Sequence, residues 1–261
     1  MHLSPPSGGR SAGPGSGRPQ PANTAEGRIA RDGHAVHYLL LTSGDAGSEE
    51  SSMPPVELMR LREAEQTEAG RILGLSGVQF LRYADGELQP TLELRKAIVR
   101  VMRQVRADVV LCQDPRSIVD ADSTYLNHPD HRAAGQAALD AAYPAAGNPS
   151  AFRDLLVEGL EAHKVKEVWL YFADAQHVNY FVDITETLDQ KIDALAAHAS
   201  QIGEWAAGGG LRRDMTKWAE DTAHRHSLGF KYAEGFQRVV LVSEQERPSE
   251  AAAVEAQADN P

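Results

Sequence analysis

Asn127-His128-Pro129-Asp130-His131 sets two imidazoles and a carboxylate around one proline, and its surroundings decide the fold. The apolar run Val109-Val110-Leu111-Cys112 precedes it by about one loop length, and Ala-rich, helix-forming sequence follows it. Strand, loop and helix in that order put the cluster at the C-terminal end of a sheet strand, where open α/β sheets build their sites. Neutral imidazole is the commonest metal ligand, and a neighbouring carboxylate can fix its tautomer. The plainer reading is a loop whose His and Asp cap the following helix, with Asp130 as the capping residue.

The rest of the chain repeats the alternation. Val36 to Thr42 is a β-prone run closed by the turn residues Ser43 to Gly47. Glu57 to Leu73 has apolar residues at helical spacing and ends at Gly74. Val78 to Leu81 is a short strand, Leu92 to Val105 a helix, Asp108 to Cys112 a strand, and Arg132 to Ala142 a helix. Glu167 to Phe172 and Phe181 to Ile184 are further strands, Leu188 to Ile202 one long amphipathic helix, and Phe236 to Val242 a final edge strand. The stretch around Gly208-Gly209-Gly210, to about His226, has no legible pattern. Strands alternating with helices imply an α/β fold, Rossmann-like and layered, with a mostly parallel sheet flanked by helices.

Composition bounds the function. A 261-residue chain with 42% hydrophobic residues is one domain with an ample core. A formal net charge of −11 disfavours nucleic acid as a partner, because phosphate binding needs clustered Lys and Arg. Cys112 is the only cysteine, which excludes an internal disulfide and a thiolate metal cluster, and its apolar strand makes it a small buried hydrophobe. No run approaches the length of a membrane span, and no signal-type apolar core opens the chain, so a cytoplasmic protein is expected. No Gly-x-Gly-x-x-Gly follows a strand, which argues against a dinucleotide site. Residues 1–27, rich in Gly, Pro, Ser and Arg, read as disordered or mis-translated; 28–243 is the domain; 244–261 is an acidic tail.

Several segments, in order, carry a resemblance. They are His37 to Gly47; Arg62-x-x-Glu65-x-x-x-Ala69 with Leu73-Gly74; and Phe80-Leu81-x-Tyr83-x-Asp85-Gly86-x-Leu88. Ala107-Asp108-Val109-Val110, Asp114-Pro115 and Asn127 to Gly135 follow. Val182-Asp183-Ile184-Thr185, Lys191 to His198 with Ser200-Gln201, and Tyr232 to Phe236 complete the series. Across roughly residues 33–238 the chain resembles the PIG-L / LmbE-like family of zinc-dependent deacetylases, which remove N-acetyl groups from amino-sugar conjugates.

That resemblance implies Zn2+ as cofactor, with Fe(II) as an alternative metal for an oxygen- and nitrogen-ligand site. It gives His131 to the metal. It gives His128 the polarising of the tetrahedral intermediate, and Asp130 the holding of His128 in one orientation and in its cationic form. Arg62 and Asp85 match substrate-binding positions; Arg62 also reads as a surface salt-bridge residue, and Asp85 as part of an Asp-Gly turn. Asp45 and Asp114 line the pocket rim or serve as turn residues. His198 reads as an ordinary helical histidine. His224 and His226 lie in the unpatterned stretch, where a substitute for missing ligands is conceivable. A small-molecule amino-sugar conjugate is the implied partner, and a homo-oligomer is left open.

The family opens with a strand ending in His-Pro-Asp-Asp, which supplies two ligands and the general base. No such motif precedes His37, and His2, His34 and His37 do not match it. Either a wrong start or shifted frame has replaced that segment, or the chain is a catalytically inactive sugar-binding or scaffold paralogue. The abrupt change of composition near Gly33 favours the first. Loss of the first strand would leave the centre of the sheet unpaired and the fold weakly stable.

Overall fold

In the computed structural model, residues 25–46, 53–119 and 126–241 are described; most of the N-terminal low-complexity segment, Gly47 and the acidic tail lie outside them. The elements in chain order are α1 (Ala25–Arg31), β1 (His37–Thr42), α2 (Pro55–Leu73), β2 (Gly77–Tyr83), α3 (Leu92–Val105), β3 (Val109–Gln113) and α4 (Pro129–Asp140). A π-helical turn (Ala141–Ala145) and α5 (Arg153–Val157) precede β4 (Glu167–Tyr171), β5 (Tyr180–Asp183), α6 (Leu188–Ala196), α7 (Ala199–Ala207), α8 (Gly210–Arg225) and β6 (Ala233–Val240).

Local chemistry sets the boundaries of the site-bearing elements. Pro55 opens α2, where its missing N–H costs nothing, and Gly74 closes it at φ 73°, a left-handed conformation that glycine adopts without strain. Thr91 caps α3 by accepting the Leu94 amide at 3.2 Å. Along β1, Leu39 and Leu41 join α3 and α4 in one core with Val110 and Cys112 of β3, while Tyr38 and Leu40 pack on Ala69 and Leu73 of α2. Burial on both faces explains why this strand reads as a continuous apolar run. Cys112 is fully buried, and burial pushes its thiol up to about 12, which leaves it an inert core residue.

The fold is α/β, and its sheets are mixed. β1 pairs with β2 in parallel, and β3 with β4 in parallel; β6 runs antiparallel to both β4 and β5. The order is β1-β2 and, separately, β3-β4-β6-β5. Among the described residues no strand pairs with the second edge of β1 or of β3, although both strands are buried and share one core.

Four expectations need correction. The last strand lies between β4 and β5, so the edge is β5. Ala25 to Gly27, assigned by composition to the N-terminal segment, are buried in α1, where the Ala25 amide donates to Glu234 at 2.8 Å. The expected helix from Leu188 to Ile202 is two helices, broken at His198. The unpatterned stretch holds a complete helix, α8, which starts at the glycines that suggested a break.

Candidate active site

The site forms at the C-terminal ends of β1, β2 and β3, where α2 and α4 begin. α4 approaches β3 so closely that a Cβ on Gly135 would meet the Gln113 carbonyl oxygen at 2.3 Å. Only glycine fits there, and this contact fixes where the helix starts over the strand end. Pro129 occupies the first turn, so α4 begins earlier than the expected Arg132. Its cap is His128, whose Nδ1 accepts the Asp130 amide at 3.2 Å. The helix-capping role expected of Asp130 therefore belongs to His128.

Asp130 is fully buried. Its carboxylate accepts the Gly86 amide at 2.7 Å and the Leu88 amide at 3.2 Å. It ties the start of α4 to the loop after β2, the loop that carries Asp85. The expected Asp130 clamp on the His128 ring is replaced by a main-chain contact. His128 is half-buried, and its ring centroid stands 5.6 Å from that of His131, which is buried.

Asp85 is buried beside these groups. Burial pushes its carboxyl above the usual range, and the Asp130 charge adds to this; the Ala46 amide, His128 and Arg62 oppose it. Its Oδ1 is buried without a hydrogen-bond partner. The loop is aimed by a tight bend at Arg82, at φ 57°, whose guanidinium holds Glu63 at 2.8 and 2.9 Å while Glu63 also accepts the Ser43 hydroxyl at 2.7 Å. Asp85 is thus more than a turn residue.

Arg62 is 2% exposed, so the surface salt-bridge reading does not hold. It donates to the Gly44 carbonyl, and burial lowers its pKa while Asp85, Glu65 and Asp45 act to raise it. The periodicity of α2 carried a signal for this. Arg62, Glu65 and Gln66 fall in phase with the buried Leu58, Ala69 and Leu73, which puts three polar side chains on the core-facing stripe. Asp114 is buried but paired with Arg116 at 2.7 Å, and its Oδ1 accepts the Arg116 amide, which makes it a turn residue. Asn127 is buried and accepts from Gln113 at 3.0 Å.

The structure therefore brings Arg62, His128 and Asp130 each within electrostatic reach of Asp85, with His131 in the first turn of α4. A zinc site fits less well. Among the described residues no group of three His, Cys, Asp or Glu side chains could hold a metal ion. About three protein ligands and an open position are what a catalytic zinc needs. His224 and His226 join no such group. His226 stacks on Phe181, with centroids 4.4 Å apart. Among the described residues no helix is long and apolar enough to cross a membrane.

Comparison with known proteins finds relatives of the whole domain. The family model for GlcNAc-PI de-N-acetylase (PIG-L) matches residues 23–142. The diacetylchitobiose deacetylase of Thermococcus kodakarensis is 33% identical over 213 residues, covering 80% of this chain and 76% of that protein. The N,N'-diacetylchitobiose deacetylase of Pyrococcus horikoshii, solved with an inhibitor, superposes with a TM-score of 0.70 at 27% identity, over 83% of this chain and 77% of the other. The 4-carboxy-2-hydroxymuconate hydratase of Pseudomonas putida has the same fold, with a TM-score of 0.67 at 21% identity over 87% and 93% of the two chains. Fold alone thus leaves the reaction open, and sequence identity shows the family: the chain belongs to the PIG-L family of LmbE-like deacetylases.

Proposed function

We propose that the chain recognises an N-acetylated amino-sugar conjugate and is an N-deacetylase-type hydrolase built on residues 28–243, with α1 attached from Ala25. The observation that carries the reading is the buried Asp85 at the strand ends, within electrostatic reach of both Arg62 and His128, in a chain 33% identical to a diacetylchitobiose deacetylase.

Each residue has a part that follows from its chemistry. Arg62 presents a rigid fork of donors suited to sugar hydroxyls or to an acidic group on the aglycone. Asp85 has a buried, unsatisfied oxygen that accepts a sugar hydroxyl. His128, with Nδ1 occupied by the Asp130 amide, directs an Nε2–H donor outward, where it meets the acetamide oxygen as negative charge grows there. Asp130 acts through the others: it fixes the Asp85 loop and the start of α4.

The family's metal would be Zn2+, with His131 as one ligand. The described residues do not complete its ligand set, and they offer no carboxylate base where the missing His-Pro-Asp-Asp would supply one. They carry recognition and the electrophilic side of amide cleavage. That specific deficit favours a second reading, in which the same pocket binds the sugar without cleaving it.

The test is acetate release from N,N'-diacetylchitobiose by this chain, with and without added zinc, beside calorimetric binding of the same sugar. Binding with acetate release supports the hydrolase. Binding without release supports the second reading. Neither binding nor release sinks both.

A further inference from the structure

The parallel register of β1 and β2 breaks at one point. Residues pair in step from His37 with Gly77 to Leu40 with Phe80, but Thr42 then faces Tyr83. Leu81 and Arg82 together therefore oppose Leu41, which makes a β-bulge. Bulges are rare between parallel strands, and beside a site they re-aim the chain that follows. The residue that makes the bend is Arg82, at φ 57°. Glycine takes that conformation freely, whereas a residue with a Cβ holds it only where its surroundings over-determine it.

Glu63 of α2 supplies those surroundings. Arg82 donates from Nε to Glu63 Oε1 at 2.8 Å and from Nη2 to Oε2 at 2.9 Å, the two-point geometry of a strong guanidinium–carboxylate pair. Oε1 also accepts the Ser43 hydroxyl at 2.7 Å. The Arg82 pair holds the Glu63 carboxyl below the usual carboxylate range, so it is ionised at neutral pH. Its side chain is 14% exposed, which shields the pair from water on the Glu63 side. One carboxylate thus joins the ends of two strands. Beyond Ser43 lies Gly44, whose carbonyl accepts from Arg62. Beyond Arg82 lies the Asp85 loop, whose far side Asp130 holds through the Gly86 and Leu88 amides. Glu63 and Arg82 fall at the open positions of Arg62-x-x-Glu65 and Leu81-x-Tyr83, so the motifs single out neither.

We propose that Glu63 is a positioning residue for this site: its carboxylate locks the Arg82 bulge to Ser43 and so sets where Asp85 stands relative to the loop that Arg62 holds. The residue type matters. Glutamine has the same size but a single acceptor oxygen and no charge, so it cannot take both guanidinium donors and the hydroxyl. The proposal rests on the amino-sugar reading only for what Asp85 and Arg62 meet, and its core can be tested without any ligand.

The experiment is amide hydrogen exchange by NMR in the full chain, comparing wild type with Glu63→Gln and with Glu63→Gln combined with Arg82→Gly. Glycine adopts the bulge conformation unaided, so the double variant lacks the pair and keeps the bend. Exchange of the Gly86 and Leu88 amides should be about fivefold faster in Glu63→Gln, the upper end for a partly exposed ion pair, and should return toward wild type in the double variant. The Leu94 amide, bonded to Thr91 at the head of α3, should exchange as in wild type throughout. Unchanged Gly86 and Leu88 exchange in Glu63→Gln, equal acceleration at Leu94, or no recovery in the double variant overturns the proposal. Should Glu63→Gln not fold, Ser43→Ala removes only the hydroxyl arm; it should quicken the same two amides and spare Leu94, and no change in them overturns the proposal. Binding of N,N'-diacetylchitobiose should weaken in Glu63→Gln and recover in the double variant; binding unmoved by Glu63→Gln also overturns it. If the wild type binds no sugar, the amino-sugar reading fails while the exchange result still decides the role of Glu63.

Discussion

Two regions of this molecule each bury one arginine, and they use it differently. At the end of α3, Arg103 is 3% exposed and spends its guanidinium on main chain. Nε reaches the Ala146 carbonyl at 3.1 Å, and Nη2 reaches those of Ala145, Asn148 and Ala151 at 2.9–3.1 Å. At the strand ends, Arg62 is as buried, yet its neighbours are ionisable side chains: Asp85, Glu65, Asp45 and His198. Burial lowers the pKa of both. Burial of a charge therefore does not mark a site. Its surroundings do: Arg103 binds a cluster of carbonyls as a staple, whereas Arg62 lies within the electrostatic reach of several titratable side chains.

The comparison breaks most readily at Arg103. Methionine there keeps the stem and takes a donor from four carbonyls, of which those of Ala146 and Asn148 keep the His163 and Ala151 amides, so Arg103→Met should cost about 4 kcal/mol, the upper range for several buried acceptors losing one donor group. Urea unfolding measures it, and a loss under about 1 kcal/mol would mean the staple reading is wrong. The site region has a staple of its own in Asp130. Asp130→Asn replaces an acceptor of two amides with a group that is half donor, and should cost about 2–3 kcal/mol and speed exchange of the Gly86 and Leu88 amides. Exchange confined to other loops would separate Asp130 from the Asp85 loop. Gly135→Ala drives a methyl into the Gln113 carbonyl, and overpacking of this kind costs about 2 kcal/mol.

The smallest effect is the pH dependence due to His198, and its sign follows from the direction of the shift. The folded-state value is depressed to about 4, below the ordinary 6.5, so the unfolded chain takes up a proton before the folded one does. The stability at stake is fully present above the ordinary value and falls as pH drops toward 4. His198→Asn should remove that part of the acid slope between those limits. A slope left intact would place the responsible group elsewhere.

Much of this was legible in the chain. The strands β1 to β5 and the limits of α2 and α3 follow from apolar runs, a capping Thr91 and a terminal Gly74. His128, Asp130 and His131 announce themselves by type and spacing. What could not be read depends on partners distant in sequence. β6 looks like an edge strand because nothing in Ala233–Val240 says that both β4 and β5 will pair with it. The break at His198 is imposed by Glu65, 135 residues earlier than the Ser200 it binds. The helix α8 was hidden by glycines that open it at Gly209, φ 70°, instead of ending it. The Asp130 carboxylate has its partners 44 and 42 residues upstream, so neighbouring sequence suggested the wrong one.

A second contrast concerns the sheet. β3 and β4 pair over five residues each in unbroken parallel register, while β1 and β3 share a core with no described strand between them.

The central claim is that the Arg62 pocket recognises an amino sugar, and calorimetric titration of N,N'-diacetylchitobiose into wild type and Arg62→Met tests it most directly. The account predicts saturable binding by the wild type, weakened about tenfold or more in the variant, as expected for losing hydrogen bonds from a charged donor. Equal binding by both proteins, or none by a folded wild type, would contradict it.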